Sequence, residues 1–200
     1  MSTATARSIV RKGADERAGV FYFSEPPANA DTKPKAKNYS DWSRWRQANY
    51  LFFKAVLDVW PRKSVLVDIG AGATPFRDLL RQFDYVGVDF YPFEDVTVVA
   101  DFTVGLPLRD ASADILFLSN TVEHIPDAAY LISECERVLK PGGIFVGTIP
   151  FLMRIHQAPY DFNRFTHHQL ERLLGHFEEV HVEPLGAPFN AYRTLTRHFF

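Results

Sequence analysis

Two hundred residues suit a single domain with a substantial core, and a chain that is 46% hydrophobic and 14% aromatic is a folding one. A formal net charge of −2 provides no global basic field for nucleic acid. The lone cysteine, Cys135, excludes an internal disulfide and a cysteine-rich zinc site, and no apolar run approaches the roughly 18 residues needed to cross a bilayer.

The N-terminal arginines precede no continuous apolar core, so no signal peptide is expected and the cytoplasm is the expected compartment. Residues 1–38 are expected to be weakly structured. Small and charged residues surround one short apolar patch, Val20 to Phe23, and the lysine and proline cluster over 31–37 reads as a solvated linker. The domain is expected over 39–200. Its first helix is predicted over 41–60, where Trp42, Trp45, Asn49, Phe53, Val56 and Trp60 recur at helical spacings; Ser40 is the expected N-cap and Pro61 the stop.

From 64 to about 150, strands and helices alternate. Strands are predicted at Ser64–Ile69, Tyr85–Val88, Val96–Ala100, Ala113–Ser119 and Gly143–Ile149, the last two as near-continuous apolar runs buried on both faces. A short helix is expected at Pro75–Phe83, with Thr74 as its cap. A clearer one spans Pro126–Lys140, where Leu131, Ile132, Cys135 and Val138 share a stripe and Pro141-Gly142-Gly143 ends it. Cys135 is therefore read as a buried structural thiol. A helix over 166–175 capped by Thr166 and a strand at Val180–Glu183 follow. Right-handed crossovers then give a Rossmann-like α/β fold: a doubly wound, mainly parallel sheet with helices on both faces.

The most informative unit is the strand Ser64–Ile69, the turn Gly70-Ala71-Gly72-Ala73-Thr74-Pro75, and a second strand ending in Asp89, 19 residues after Gly70. Such a unit aims glycine backbone at a nucleoside-bearing ligand and offers an acid to ribose hydroxyls. The dinucleotide fingerprint needs a third glycine where Pro75 stands, and Asp68 beside the turn would repel a pyrophosphate while accepting an ammonium or a water. A cationic, phosphate-free ligand is favoured over NAD. Polar groups continue along the strand ends: Asp101-Phe102 after the third strand, then Asn120, Glu123 and His124 after the fourth. Glu123 and His124 read either as site residues or as caps of the next helix.

With the later segments Asp101-Phe102-Thr103-Val104-Gly105-Leu106-Pro107-Leu108, Val122-Glu123-His124-Ile125 and Val138-Leu139-Lys140-Pro141-Gly142-Gly143, residues 64 to about 175 resemble the class I S-adenosylmethionine (SAM) dependent methyltransferases of the type 11 kind. The resemblance implies SAM as cofactor. It implies that Asp68, Gly70 and Gly72 face the methionine moiety, that Asp89 binds both ribose hydroxyls, that Asp101 accepts from the adenine amino group with Phe102 against the ring, and that Asn120 lines the pocket near the sulfonium. The 41–60 helix is expected to pack on the domain; the alternative that the resemblance adds is that it also lids the cofactor. A seven-stranded sheet with an antiparallel last strand is implied; six strands are legible, so that last strand is expected to be missing or supplied by a partner.

Beyond the fifth strand lies His156-Gln157-Ala158-Pro159-Tyr160-Asp161-Phe162-Asn163-Arg164-Phe165-Thr166. This resembles a segment of bacterial methyltransferases associated with polysaccharide and glycoconjugate synthesis. The expected reaction is methyl transfer to a small or carbohydrate-type acceptor, at a hydroxyl oxygen. His156 and His124 are the candidate bases, Asp161 an orienter or alternative base, and Tyr160 and Arg164 the acceptor-binding residues; the alternative for Asp161 and Arg164 is an internal pair that shapes the loop, and both roles are compatible. The alternatives are an inactive SAM-binding partner subunit, for which the aromatic end at Phe199-Phe200 argues, an N-methyltransferase of an amine or protein, and, least, an NAD-dependent oxidoreductase. A nucleic-acid methyltransferase is disfavoured, because Ser119-Asn120-Thr121-Val122 lacks a proline–aromatic grip for a flipped base. No metal site is expected, since no tight His/Cys/acid spacing emerges. Oligomerisation is left open.

Overall fold

A computed structural model describes residues 3–27 and 39–186. Seven strands form one sheet: β1 (Asp15–Arg17), β2 (Val20–Tyr22), β3 (Val65–Ile69), β4 (Asp84–Asp89), β5 (Val96–Val99), β6 (Ala113–Ser119) and β7 (Leu139–Thr148). Their order is β1-β2-β5-β4-β3-β6-β7. Every neighbouring pair is parallel except β1–β2, a short antiparallel hairpin at one edge. The helices are α1 (Thr3–Ile9), α2 (Arg44–Leu57), α3 (Arg77–Leu80), α4 (Ala128–Val138) and α5 (His167–Leu173). No described helix is long and apolar enough to cross a membrane.

The central strands bury both faces, and their residues alternate between two apolar layers. Val67, Ile69, Val86, Val88, Leu116 and Leu118 join α1 and α4. Leu66, Tyr85, Ile115 and Phe117 join α2 and α3. This two-sided burial explains the apolar runs Val65–Val67 of β3 and Ile115–Leu118 of β6. Cys135 lies fully buried in α4, and burial pushes its thiol well above the usual range, so it is an inert packing group. Helix α2 lays Phe53 and Leu57 against the sheet, with the Phe53 ring 4.3 Å from that of Phe117.

Several expectations are corrected. The described part of the first segment, 3–27, adds α1, β1 and β2 to the domain. Phe21 and Tyr22 pair with Val98 and Val99, and Ala6 and Ile9 are buried. Strands of three residues carry too little periodicity to be read locally; the exposed edge of β5 is what orders them. Ser40 lies in a 3₁₀ turn over Tyr39–Asp41, and Ser43 caps α2 instead, its hydroxyl accepting from the Arg46 amide at 3.2 Å. Thr74 does not cap α3: its φ is +46°, and that helix is a single turn without a side-chain cap. Asp127, not Glu123 or His124, caps α4 by accepting from the Tyr130 amide at 2.9 Å. Pro141-Gly142-Gly143 does not terminate α4, which ends at Val138. It lies within β7, an edge strand where a missing amide is tolerated, and the register with β6 shifts there, between Ala113 and Ile115.

Val180–Glu183 forms no strand, and no strand follows β7 among the described residues. Among the described residues the one antiparallel strand is β1, at the other edge. The 31–37 cluster and Phe199-Phe200 lie outside the described residues.

Candidate functional site

The sheet order reverses at β3. The chain runs outward from it through β4 and β5, then returns to its other side as β6. The loops leaving β3 and β6 therefore diverge and leave a crevice at the carboxyl ends of the strands, where open α/β sheets bind ligands.

The first wall is the turn after β3. Gly70 has φ +76°, and a Cβ there would stand 2.5 Å from Thr121 Oγ1, a hydroxyl that donates to the Ile69 carbonyl at 2.9 Å. Gly72 has φ +54°, and a Cβ on it would meet only the Gly70 carbonyl, at 4.0 Å, so its face is open to an approaching group. Asp68 lies beneath this turn, buried on the α2 side of the sheet. Its Oδ2 accepts from the Tyr85 hydroxyl at 3.0 Å, and burial pushes its carboxyl up to about 7.

Asp89 ends β4. Its two oxygens accept from the amides of Gly72 at 2.8 Å and Tyr91 at 3.0 Å. Burial raises its pKa and the amide bonds oppose that rise. The acid thus clamps the glycine turn as well as presenting a carboxylate at the crevice. Asp101 is exposed, with Oδ1 accepting from the Thr103 amide and hydroxyl. Phe102 is 1% exposed and its ring packs 4.2 Å from that of Phe90, inside the core.

The opposite wall follows β6. Asn120 has φ +55°, its amide donates to the Thr148 carbonyl at 2.8 Å, and its side-chain carbonyl is buried without a partner. Asn is among the residues that enter this conformation most readily. Glu123 follows, its side chain fully buried; burial pushes its carboxyl up to about 7. The Glu123 carbonyl accepts from the amides of Phe162 and Asn163, and the Asn163 side chain donates to the Ile125 carbonyl, so the 151–165 segment is tied onto this wall.

That segment brings His156 to His124, ring centroids 4.9 Å apart. His124 Nδ1 meets the Tyr160 carbonyl, and burial lowers its pKa, which favours the neutral ring. His156 Nδ1 lies 3.2 Å from Asp161 Oδ2. Asp161 also accepts from the His156 amide and both ends of the Arg164 guanidinium, which holds its carboxyl well below the usual range. The remaining Arg164 donors go to the carbonyls of Met153, Arg154 and Asn163, so Arg164 shapes the loop from within. Tyr160 is 65% exposed.

Sequence reasoning selected His124, His156 and Asp161 for the chemistry and left Glu123 between a site residue and a helix cap, with no role assigned. Its signal was present as an acid beside a histidine at a strand end. The contact with His156 crosses from one loop to another and has no local periodicity.

Residues 67–147 match the family described as a methyltransferase domain. A protein of Mycolicibacterium smegmatis named as a probable S-adenosylmethionine-dependent methyltransferase is 49% identical over 93 residues, 40% of this chain and 34% of that protein. An uncharacterized methyltransferase of Mycobacterium bovis is 37% identical over 101 residues, 43% of this chain and 39% of that protein. The segment that matches lies within the α/β sheet and carries the glycine turn and Asp89. The chain spans well under half the length of these relatives. In fold it resembles a methyltransferase candidate from Bacillus halodurans, with a TM-score of 0.55, 13% identity and coverage of 64% of this chain and 67% of that one. It also resembles the cyclase SpnF, with a TM-score of 0.54, 20% identity and coverage of 72% of this chain and 58% of that one. Those two likenesses concern the fold, which does not by itself decide the chemistry.

The likeness to methyltransferase domains and the Rossmann-like fold imply SAM as cofactor, and the residues present fit it. The open face of Gly72, the buried Asp89 carboxylate and the orphaned Asn120 carbonyl all border one crevice and suit a ligand rich in donors. Gly70 is the most constrained position of the turn. A Gly70→Ala substitution is expected to cost about 2 kcal/mol of stability through the positive φ and the Thr121 clash. Urea unfolding checks this, and adding Thr121→Ala should return part of the loss. An unchanged midpoint would show that the turn relaxes freely.

Proposed function

We propose that this chain transfers a methyl group from SAM to a hydroxyl oxygen of a small or carbohydrate-type acceptor, with the site residues within 39–200 and residues 3–27 completing the sheet that carries them. In this reading Asp89 holds the ribose hydroxyls, Asp68 and the glycine turn hold the methionine moiety, Asp101 takes the adenine amino group and Asn120 lines the reacting end. The buried ring of Phe102 belongs to the core and contributes through the shape of the 101–102 corner. Tyr160 and Phe162, 65% and 48% exposed, offer aromatic faces to a sugar.

The observation that carries the reading is the placement of His156. Its Nδ1 faces Asp161 and the Arg154 carbonyl, both acceptors, which leaves Nε2 as a lone pair. Asp161 and Arg164 position the ring, and Nε2 takes the acceptor's hydroxyl proton. The cofactor supplies a methyl carbon on a sulfonium: the acceptor's lone pair forms the new C–O bond while the C–S pair returns to sulfur as a neutral thioether. The protein's larger task is to align the oxygen in line with that bond and keep water out.

Transfer of radiolabelled methyl from SAM to a panel of hydroxylated sugars and amines tests this. Label is expected on oxygen, with kcat reduced roughly 100-fold in His156→Gln. Label on nitrogen would move the reading to an N-methyltransferase. SAM binding without turnover on any acceptor would favour a cofactor-binding partner subunit.

A further inference from the structure

We propose that Glu123, His124 and His156 form a binding site for one divalent ion of the zinc type. Each of the three offers a ligand atom, and these atoms all lie within 4.8 Å of one another. Glu123 Oε1 is 3.6 Å from His124 Nε2 and 3.9 Å from His156 Nε2. A tetrahedral ion with bonds of roughly 2.0–2.1 Å sets its ligand atoms about 3.4 Å apart. Small rotations of the side chains close the remaining distance.

The polar atoms at the centre of this cluster lack partners. Both oxygens of Glu123 and Nε2 of His124 are buried and make no hydrogen bond, although the Glu123 side chain is 0% exposed. Nearly all buried polar groups in folded proteins are paired, and an unpaired carboxylate is among the costliest exceptions. The 3.6 and 3.9 Å separations are too long for hydrogen bonds between the three residues. A shared cation satisfies all of them at once.

Both imidazoles are also held in the tautomer that a metal requires. A backbone carbonyl can only accept, so the Tyr160 carbonyl fixes the His124 proton on Nδ1 and leaves Nε2 bare. His156 Nδ1 lies between two acceptors, Asp161 Oδ2 at 3.2 Å and the Arg154 carbonyl at 3.3 Å, with the same consequence. Metal-bound histidines characteristically donate their other ring N–H to a carboxylate or a carbonyl, which orients the ring and raises its basicity. Asp161 is itself fixed by Arg164, whose charge it balances.

The donor set selects the ion. Two imidazoles and one carboxylate suit Zn²⁺ and neighbouring first-row metals, while Mg²⁺ and Ca²⁺ prefer all-oxygen shells. Three protein ligands leave a position open, as in catalytic zinc sites. Glu123 stands three residues beyond Asn120, so the cluster lies at the same carboxyl end of the sheet as the cofactor crevice. The ion would occupy the His156 Nε2 lone pair, so the metal-free chain uses that imidazole as base, while in the loaded chain an acceptor hydroxyl at the open position would lose its proton more easily. That last role rests on the methyl-transfer reading; the binding of the ion does not.

The test uses the full chain, freed of metal with a chelator and dialysed. Zn²⁺ is titrated calorimetrically and Co²⁺ by its visible absorption. One equivalent is expected to bind with micromolar or tighter affinity. Binding should weaken at least 100-fold in Glu123→Gln and in His156→Gln, and roughly 10- to 100-fold in Asp161→Asn, which touches only the orienting shell. Zn²⁺ should raise the melting temperature of the wild-type chain but not of Glu123→Gln, a substitution that keeps the side chain's shape and so the fold. A His167→Ala/His168→Ala variant, which removes two exposed helix histidines, should bind as the wild type does. The proposal is overturned if the folded chain takes up no ion. It is equally overturned if binding survives Glu123→Gln and His156→Gln, or is lost with His167 and His168. SAM titration of the same samples reports on the cofactor reading separately.

Discussion

An Asp89→Ala chain should fold yet bind SAM at least 100-fold more weakly than the wild type. Two charge-assisted hydrogen bonds to ribose hydroxyls contribute roughly 1.5–3 kcal/mol each, and both vanish with the carboxylate. The same substitution removes the acceptor for the Gly72 and Tyr91 amides. A loss of about 1–3 kcal/mol in unfolding free energy is therefore expected alongside the binding defect. Calorimetric titration with SAM and with its demethylated product reads the first effect, and urea unfolding the second. A folded variant that binds SAM as tightly as the wild type would remove Asp89 from the cofactor site and leave it as a clamp on the turn.

Asp68 should give the chain an inverted pH response at one position. Its carboxyl titrates near 3.8 in a solvated chain and is pushed up to about 7 in the fold. Below 3.8 it is protonated in both states and its contribution is complete. As pH rises to 7 the unfolded chain releases the proton while the fold retains it, so stability is progressively lost; above 7 the loss levels off. A shift of about 3 units corresponds to about 4 kcal/mol. Asp68→Asn preserves an acceptor for the Tyr85 hydroxyl and cannot ionise. Its unfolding free energy relative to wild type should therefore climb by up to about 4 kcal/mol between pH 4 and pH 8, measured by urea unfolding at each pH. A difference that stays flat across that range would mean that the carboxyl is solvated or otherwise compensated. Where the ammonium of the methionine moiety meets Asp68, saturating SAM should suppress part of the climb, because a neighbouring cation favours the ionised acid.

These expectations draw on different depths of the sequence. Asp68, Gly70, Gly72 and Asp89 were legible because they lie within one strand–turn–helix–strand unit, where the spacing is set by backbone geometry. Strands β3 to β7 were legible because their segments are mostly apolar, most plainly Ile115–Leu118 of β6, which is buried on both faces. Helix ends were read less well. Ser40 and Ser43 carry the same hydroxyl, and which of them caps α2 depends on the 3₁₀ turn between them. Pro141-Gly142-Gly143 reads locally as a helix stop, yet pairing with β6 draws it into an edge strand. The first segment read as weakly structured because α1, β1 and β2 are each too short to signal alone.

The sequence by itself determined the α/β alternation, the glycine turn with its acid partner, and the histidines and acids available for chemistry. These are properties of neighbours along the chain, governed by periodicity and turn conformation. Only the tertiary structure decided that β2 extends the sheet beside β5, and that Phe102 serves the core. It alone showed that Arg164 spends its donors on its own loop, and that Glu123 stands unpaired against His124 and His156. Those outcomes depend on which distant surfaces meet and on whether each buried polar atom finds a partner there, and local sequence patterns carry no record of either.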